Sequence, residues 1–204
     1  MTQLLYKYQM PEIMSLLING EIVAFPTDTV FGIGVIYNDE KAINKMKVAK
    51  SRDAAKPFPL MVANASQLKE VAYVSDRERK IIKQFTPGAL TLVLNKKDVI
   101  KDEYVNGFKT VAIRIPDDSF DLKLLRKAGP MFVTSANLSG EPACNTHEEV
   151  MEKLNGRIGG VVRGKAVSHI ASTIIDCTGE EIKCLREGTV KFADILQSIN
   201  SEEI

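Results

Sequence analysis

Short apolar runs alternate with helix-like stretches along the whole chain, and this alternation constrains the fold more than any other feature. Runs at 22–25, 59–62, 90–94, 111–115 and 131–134 are four or five residues long and read as strands. Further strands are expected at 161–162, 172–176 and 182–185. Between them, residues 11–19 read as a helix that Gly20 closes with a left-handed cap. Ala42, Ile43, Met46 and Ala49 share one face of a helix at 39–49. Ser75 and Glu78 form a capping box ahead of a helix that Thr86-Pro87-Gly88 breaks. A helix near 120–127, a second capping box from Thr146 and Glu149, and a short helix around 193–199 complete the pattern. A parallel pairing needs a connection of a dozen or more residues, and several connections here are shorter. The expectation is an α/β fold, a single domain over residues 1–204 with a mixed sheet and flanking helices.

Charge and cysteine usage exclude several classes. The net charge of +1 gives no global attraction to nucleic acid or membrane. Locally, Lys41, Lys45, Lys47, Lys50, Arg52 and Lys56 stand against a single acid, Asp53, which points to a specific anionic ligand. Three cysteines with no CxxC, Cys144, Cys177 and Cys184, speak against a disulfide framework or a zinc site. The first ten residues lack the basic start and apolar core of a signal peptide. No apolar run approaches the roughly 18 residues of a membrane helix. A cytoplasmic protein is expected, with no membrane partner.

The chemical candidates are cations and hydroxyls. Lys50-Ser51-Arg52-Asp53-Ala54-Ala55-Lys56-Pro57 sets three cations between a helix and a strand, where they suit phosphate; a solvated basic turn is the plain alternative. Pro26-Thr27-Asp28-Thr29-Val30-Phe31-Gly32 packs hydroxyls after a strand. Gly32-Ile33-Gly34 lacks the third glycine of a dinucleotide fingerprint and follows no clean strand. Residues 159–165 match GxxxxGK in spacing, but Ala166 replaces the hydroxyl that binds magnesium. His147 and His169 form no HExxH motif, and no GxSxG elbow activates a serine. Ser135-Ala136-Asn137 and Ser172-Thr173 read either as turn and strand chemistry or as donors to an anion. Arg114, inside an apolar strand, faces solvent or, if it faces a cavity, forks a carboxylate. Arg186 repeats the theme at the end of another strand.

In order, these segments read Pro26-Thr27-Asp28-Thr29-Val30-Phe31-Gly32, Lys50-x-Arg52-x-x-x-Lys56-Pro57, Pro87-Gly88-x-Leu90-Thr91, the 111–116 strand, Ser135-Ala136-Asn137-Leu138-Ser139-Gly140, Ser172-Thr173 and Leu185-Arg186-x-Gly188. Over about residues 10–190 the chain closely resembles the YrdC family, the threonylcarbamoyl-AMP synthases. Any one motif is weak; their succession is specific.

The resemblance implies an open, twisted mixed sheet with a basic concave face. It also implies a reaction: L-threonine, bicarbonate and ATP give threonylcarbamoyl-AMP and pyrophosphate, and downstream transferase proteins pass the group to tRNA. By motif position it implies that Lys50, Arg52 and Lys56 are catalytic phosphate ligands of ATP. Thr110, Ser135, Asn137 and Arg186 are then further nucleotide contacts, and Thr27, Thr29, Arg114 and Ser172 the threonine site. Magnesium arrives with the ATP phosphates, without a protein metal cluster. Contact of the basic face with tRNA or other double-stranded RNA is a further expectation. Asp53, Phe31 and Met61 depart from the family pattern, in which proline, tyrosine and histidine are common. Longer relatives carry a C-terminal domain, for which the sequence leaves no room. Two other readings are a non-catalytic RNA-binding module and a carbamoyl-adenylating domain like those of hydrogenase maturation proteins. Against the first stands the lack of aromatic residues interleaved with basic ones; against the second, the absence of zinc-finger and acylphosphatase-like regions.

Overall fold

The computed structural model describes residues 1–51 and 57–200. Strand β1 (Gln3–Leu5) leads to helix α1 (Met10–Ile18), which carries proline in its first turn, where the missing N–H costs nothing. Gly20, at φ +72°, ends that helix as expected. Strands β2 (Val23–Phe25) and β3 (Gly32–Ile36) follow, and Asp39 then starts α2 (Glu40–Ala49) by accepting the Ala42 N–H at 3.0 Å. After β4 (Leu60–Met61) come α3 (Ala65–Val71), capped by Asn64, and α4 (Asp76–Phe85). The expected capping box of α4 is present, with the Ser75 N–H on the Glu78 carboxylate at 2.8 Å. Then come β5 (Leu90–Asn95), a 3₁₀ turn (Asp102–Val105), β6 (Thr110–Arg114), α5 (Ser119–Ala128), β7 (Met131–Ser135) and α6 (His147–Leu154). The chain closes through β8 (Gly160–Val162), β9 (Thr173–Asp176), β10 (Lys183–Arg186) and α7 (Phe192–Asn200).

All the strands among the described residues join one mixed sheet, in the order β1-β8-β2-β3-β7-β4-β6-β5-β9-β10. Short connections pair β2 with β3 and β9 with β10 antiparallel, while β5 with β9 and β4 with β6 run parallel across helical connections or longer excursions. Successive side chains leave a strand on opposite faces. Val23, Phe25, Met61, Met131 and Val133 therefore pack with Ile13 and Leu17 of α1 and Phe120 and Leu124 of α5. Ala24, Leu60 and Phe132 pack with Ile43 and Met46 of α2, Leu68 of α3 and Ile81 of α4. Cover on both faces is why the strands read as unbroken apolar runs.

Four elements were not expected from the sequence: β1, β3, α3 and the 3₁₀ turn. Gly32 and Gly34 hide β3 from a propensity reading, yet a Cβ on Gly34 would come within 3.2 Å of Met131, Val133 and Phe25. Neighbouring side chains occupy that space. The second capping box is half formed: Thr146 accepts the Glu149 N–H at 3.3 Å, but the Glu149 carboxylate takes the Asn145 N–H instead.

Candidate functional site

Strand register brings the polar motifs to one end of the sheet. Arg114, last in β6, is opposite Thr91 near the start of β5, and Leu90 is opposite Thr173 at the start of β9. Arg186, last in β10, is opposite Ile174 across a bulge. On the other side, Met61 ends β4 beside Arg114, and Ser135 ends β7 opposite Gly32, the first residue of β3. The Thr27–Thr29 turn leads directly into that strand.

Arg114 is the centre of this end. It is 5% exposed, and every nitrogen of its guanidinium has a partner. Nε donates to the Gly88 carbonyl at 3.0 Å, Nη1 to Thr29 Oγ1 at 2.7 Å, and Nη2 to both Asp28 oxygens at 2.7 Å. Burial pulls its pKa down, and the charges of Asp28 and Asp121 oppose that. Two hydroxyl pairs flank it: Thr27 and Thr29, with oxygens 3.0 Å apart, and Thr91 and Ser172, 2.8 Å apart. Arg186 donates from Nε to the Ser172 carbonyl at 2.9 Å and from Nη2 to the Ser172 hydroxyl at 3.3 Å. Its pKa is lowered by partial burial and then by the charge of Arg114. Two guanidiniums on one hydroxyl-lined surface make a place for an anion.

The Leu185-Arg186-x-Gly188 motif has a steric reason. A Cβ on Gly188 would lie 2.2 Å from the Ala171 carbonyl oxygen and 2.8 Å from the Thr173 nitrogen. Only a glycine lets the chain after β10 cross so near Ser172, where the Gly188 N–H also donates to Thr173 Oγ1 at 2.8 Å. A strap from 166 to 171 is pinned to the threonine turn from the other side. The Val167 N–H reaches the Thr27 carbonyl at 3.2 Å, and the His169 N–H the Thr29 carbonyl at 2.9 Å.

The expected residues divide into four groups. Thr27, Thr29, Arg114 and Ser172 are brought together, with Arg186 against Ser172. Ser135 and Asn137 form a second cluster, with Lys50. Lys50 is 1% exposed, and its ammonium donates inward to the Ser135 and Asn137 carbonyls and to Asn137 Oδ1. The Asn137 amide in turn donates to the Leu138 and Glu141 carbonyls, both at 2.8 Å. Lys50 thus ties down the 135–137 loop, and Asn137 is engaged in internal bonds. Thr110, expected as a nucleotide contact, pairs with Asn95 at the other end of β6, about 13 Å of strand away from Arg114. Arg52 and Lys56 lie outside the described residues.

Sequence reasoning missed Asp28, Gly88 and Thr91 as partners of the site. The signal for Asp28 was available: an arginine in an apolar strand needs a counter-charge, and Asp28 sits between the two motif threonines. Met61 and Phe31 are both buried core residues, so the departures noted at these positions place apolar side chains, not a titratable group or a hydroxyl, in the core.

The fold and this end of the sheet define an α/β protein with an arginine- and hydroxyl-lined anion site. The chain belongs to the Sua5/yciO/yrdC family, whose profile, described as telomere recombination, matches residues 15–188. It is 38% identical over 186 residues to the threonylcarbamoyl-AMP synthase of Bacillus subtilis, covering 89% of this chain and 54% of that relative. To the putative threonylcarbamoyl-AMP synthase of Methanocaldococcus jannaschii it is 35% identical, covering 85% of this chain and 83% of that relative. The crystal structure of Pyrococcus abyssi Sua5 complexed with L-threonine superposes with a TM-score of 0.92 at 31% identity, covering 98% of this chain and 61% of that one. The chain thus spans little more than half the length of some curated relatives it matches.

Proposed function

We propose that this protein makes L-threonylcarbamoyl-AMP from L-threonine, bicarbonate and ATP, releasing pyrophosphate. The observation that carries the reading is the buried Arg114 fork, set between the Thr27–Thr29 and Thr91–Ser172 hydroxyl pairs. A planar fork suits the carboxylate of an amino acid, and the hydroxyl pairs suit its side-chain hydroxyl. Once the amino group has taken up bicarbonate with loss of water, the new carbamate oxygen attacks the α-phosphorus and pyrophosphate leaves. This chemistry needs positioning and charge neutralisation more than a nucleophilic side chain.

Arg186, beside Ser172, would face the nucleotide side of the threonine site. Arg52 and Lys56 are proposed phosphate ligands on motif position alone. Lys50 is assigned a positioning role, holding the Ser135–Asn137 loop from within. Magnesium is proposed to arrive with ATP, held largely by its phosphates and water. Downstream transferase proteins acting on tRNA are the proposed consumers of the product. Free thiols fit a reducing compartment, and no helix among the described residues is long and apolar enough to cross a membrane, so the cytoplasm is the proposed location.

The RNA-binding alternative gains nothing from this end of the sheet. The stacked Tyr6 and Tyr8 rings follow β1, an edge strand six strand spacings, or roughly 29 Å, from β6. Pyrophosphate release from ATP, measured with and without L-threonine and bicarbonate, tests the proposal. Release that requires both is expected; release indifferent to threonine would overturn it.

A further inference from the structure

Asp28 is the residue of this site to which the expected chemistry gives no task. We propose that Asp28 is a specificity-determining stand-in for the ligand's carboxylate: it holds the Arg114 fork in the ligand-free protein, and only a competing carboxylate displaces it. This inference rests on the threonine-binding reading of the site.

Three observations converge. Nη2 of Arg114 is shared by both Asp28 oxygens at 2.7 Å, so the nitrogen that would complete a fork on a ligand is already engaged by a carboxylate. The other two nitrogen positions go to groups that a ligand does not need to remove, the Gly88 carbonyl and the Thr29 hydroxyl. The fork is therefore held in place by neutral partners and neutralised by a charged one. Finally, Asp28 has a way out. Its side chain is 12% exposed against 5% for Arg114, and its Oδ2 also accepts the Asp117 N–H at 3.1 Å at an exposed position. It can keep that bond and turn toward water as a ligand carboxylate takes the arginine.

The consequence is selection. A buried guanidinium left open would attract any small anion and would carry an uncompensated charge in the empty site. With Asp28 on it, a ligand must offer a carboxylate at the right place together with enough other contacts to win the exchange. Amino acids whose side chains also engage the hydroxyl pairs meet both conditions; bare anions do not.

Titration calorimetry with L-threonine, using the wild type, Asp28→Asn and Asp28→Glu, tests this. Asparagine keeps an acceptor for Nη2 but removes the competing charge, so Asp28→Asn should bind L-threonine about tenfold more tightly, the scale of one charge-assisted bond. Acetate should gain affinity in the same variant. Asp28→Glu restores a carboxylate and should return the affinity toward that of the wild type, a rescue that a merely structural role would not produce. Wild-type binding with unchanged or weaker binding by Asp28→Asn would overturn this inference alone and make Asp28 an orienting partner of Arg114. Asp28→Asn and Asp28→Glu behaving alike would do the same. No binding of L-threonine by any of the three proteins would overturn the parent reading, and this one with it.

Discussion

Arg114 shows how much depends on one side chain. Its buried guanidinium has charged and neutral partners on three sides, and an ammonium cannot meet them in the same plane. Arg114→Lys is expected to cut threonylcarbamoyl-AMP synthesis by about a hundredfold, the usual effect of misplacing a reactant, with ATP affinity nearly unchanged. Steady-state kinetics with each substrate varied would show it; near-normal synthesis would make Arg114 a purely structural residue. A second residue, Asp121 on α5, lies close by with both carboxyl oxygens buried and without a hydrogen bond. Burial, then the charges of Asp118 and Asp28, raise its pKa well above 3.8, against the pull of Lys7 and Arg114. The sign follows from proton counting: the folded state holds this proton to higher pH than the unfolded state does. Its contribution is therefore most favourable below the unfolded value and declines as pH rises toward the folded one. Asp121→Asn should be increasingly more stable than the wild type as pH is raised from about 4 to 7. Urea midpoints across that range check it, and a gap independent of pH would mean that Asp121 carries no such proton.

At the scale of elements, the site is a product of strand ends and the loops that lock them. Gly88, Ser172 and Gly188 belong to different connections, yet side chains at strand ends hold their backbones: Arg114 of β6 the Gly88 carbonyl, Arg186 of β10 the Ser172 carbonyl, and Thr173 of β9 the Gly188 N–H. Gly188→Ala forces a methyl into the Ala171 carbonyl and should destabilise the fold by about 1–3 kcal/mol, like other overpacking changes. It should also raise the KM for threonine, because Ser172 cannot keep its place. A variant with wild-type melting and kinetics would show that this crossing has room to spare.

At the scale of the whole molecule, ligands that bind only the folded state should stabilise it. L-threonine at 100 times its dissociation constant contributes about 2.7 kcal/mol. For a domain of this size that corresponds to a rise in melting temperature of about 5–10 °C, measurable by scanning calorimetry. Valine, isosteric but without the hydroxyl, should shift it far less, because the Thr27–Thr29 and Thr91–Ser172 pairs would each lose a partner. Equal shifts would contradict a pocket that reads the hydroxyl.

The sequence by itself determined the mixed α/β class, most strands and helices, and the residues of the threonine turn, because apolar periodicity, caps and turn formers are local properties. It could not show β3, since Gly32 and Gly34 carry no strand propensity and are specified by Val133, Met131 and Phe25 packing against them. Nor could it decide which way a cation points. Lys50 and Arg114 looked alike as candidate anion ligands, but burial turned the Lys50 ammonium into the 135–137 loop and set Arg114 among hydroxyls. The distance between Thr110 and Arg114 is also tertiary, because it follows from the direction and register of β6. Charge placement depends on contacts between residues far apart in the chain, here Asp28 with Arg114, and only the packed sheet brings those residues together.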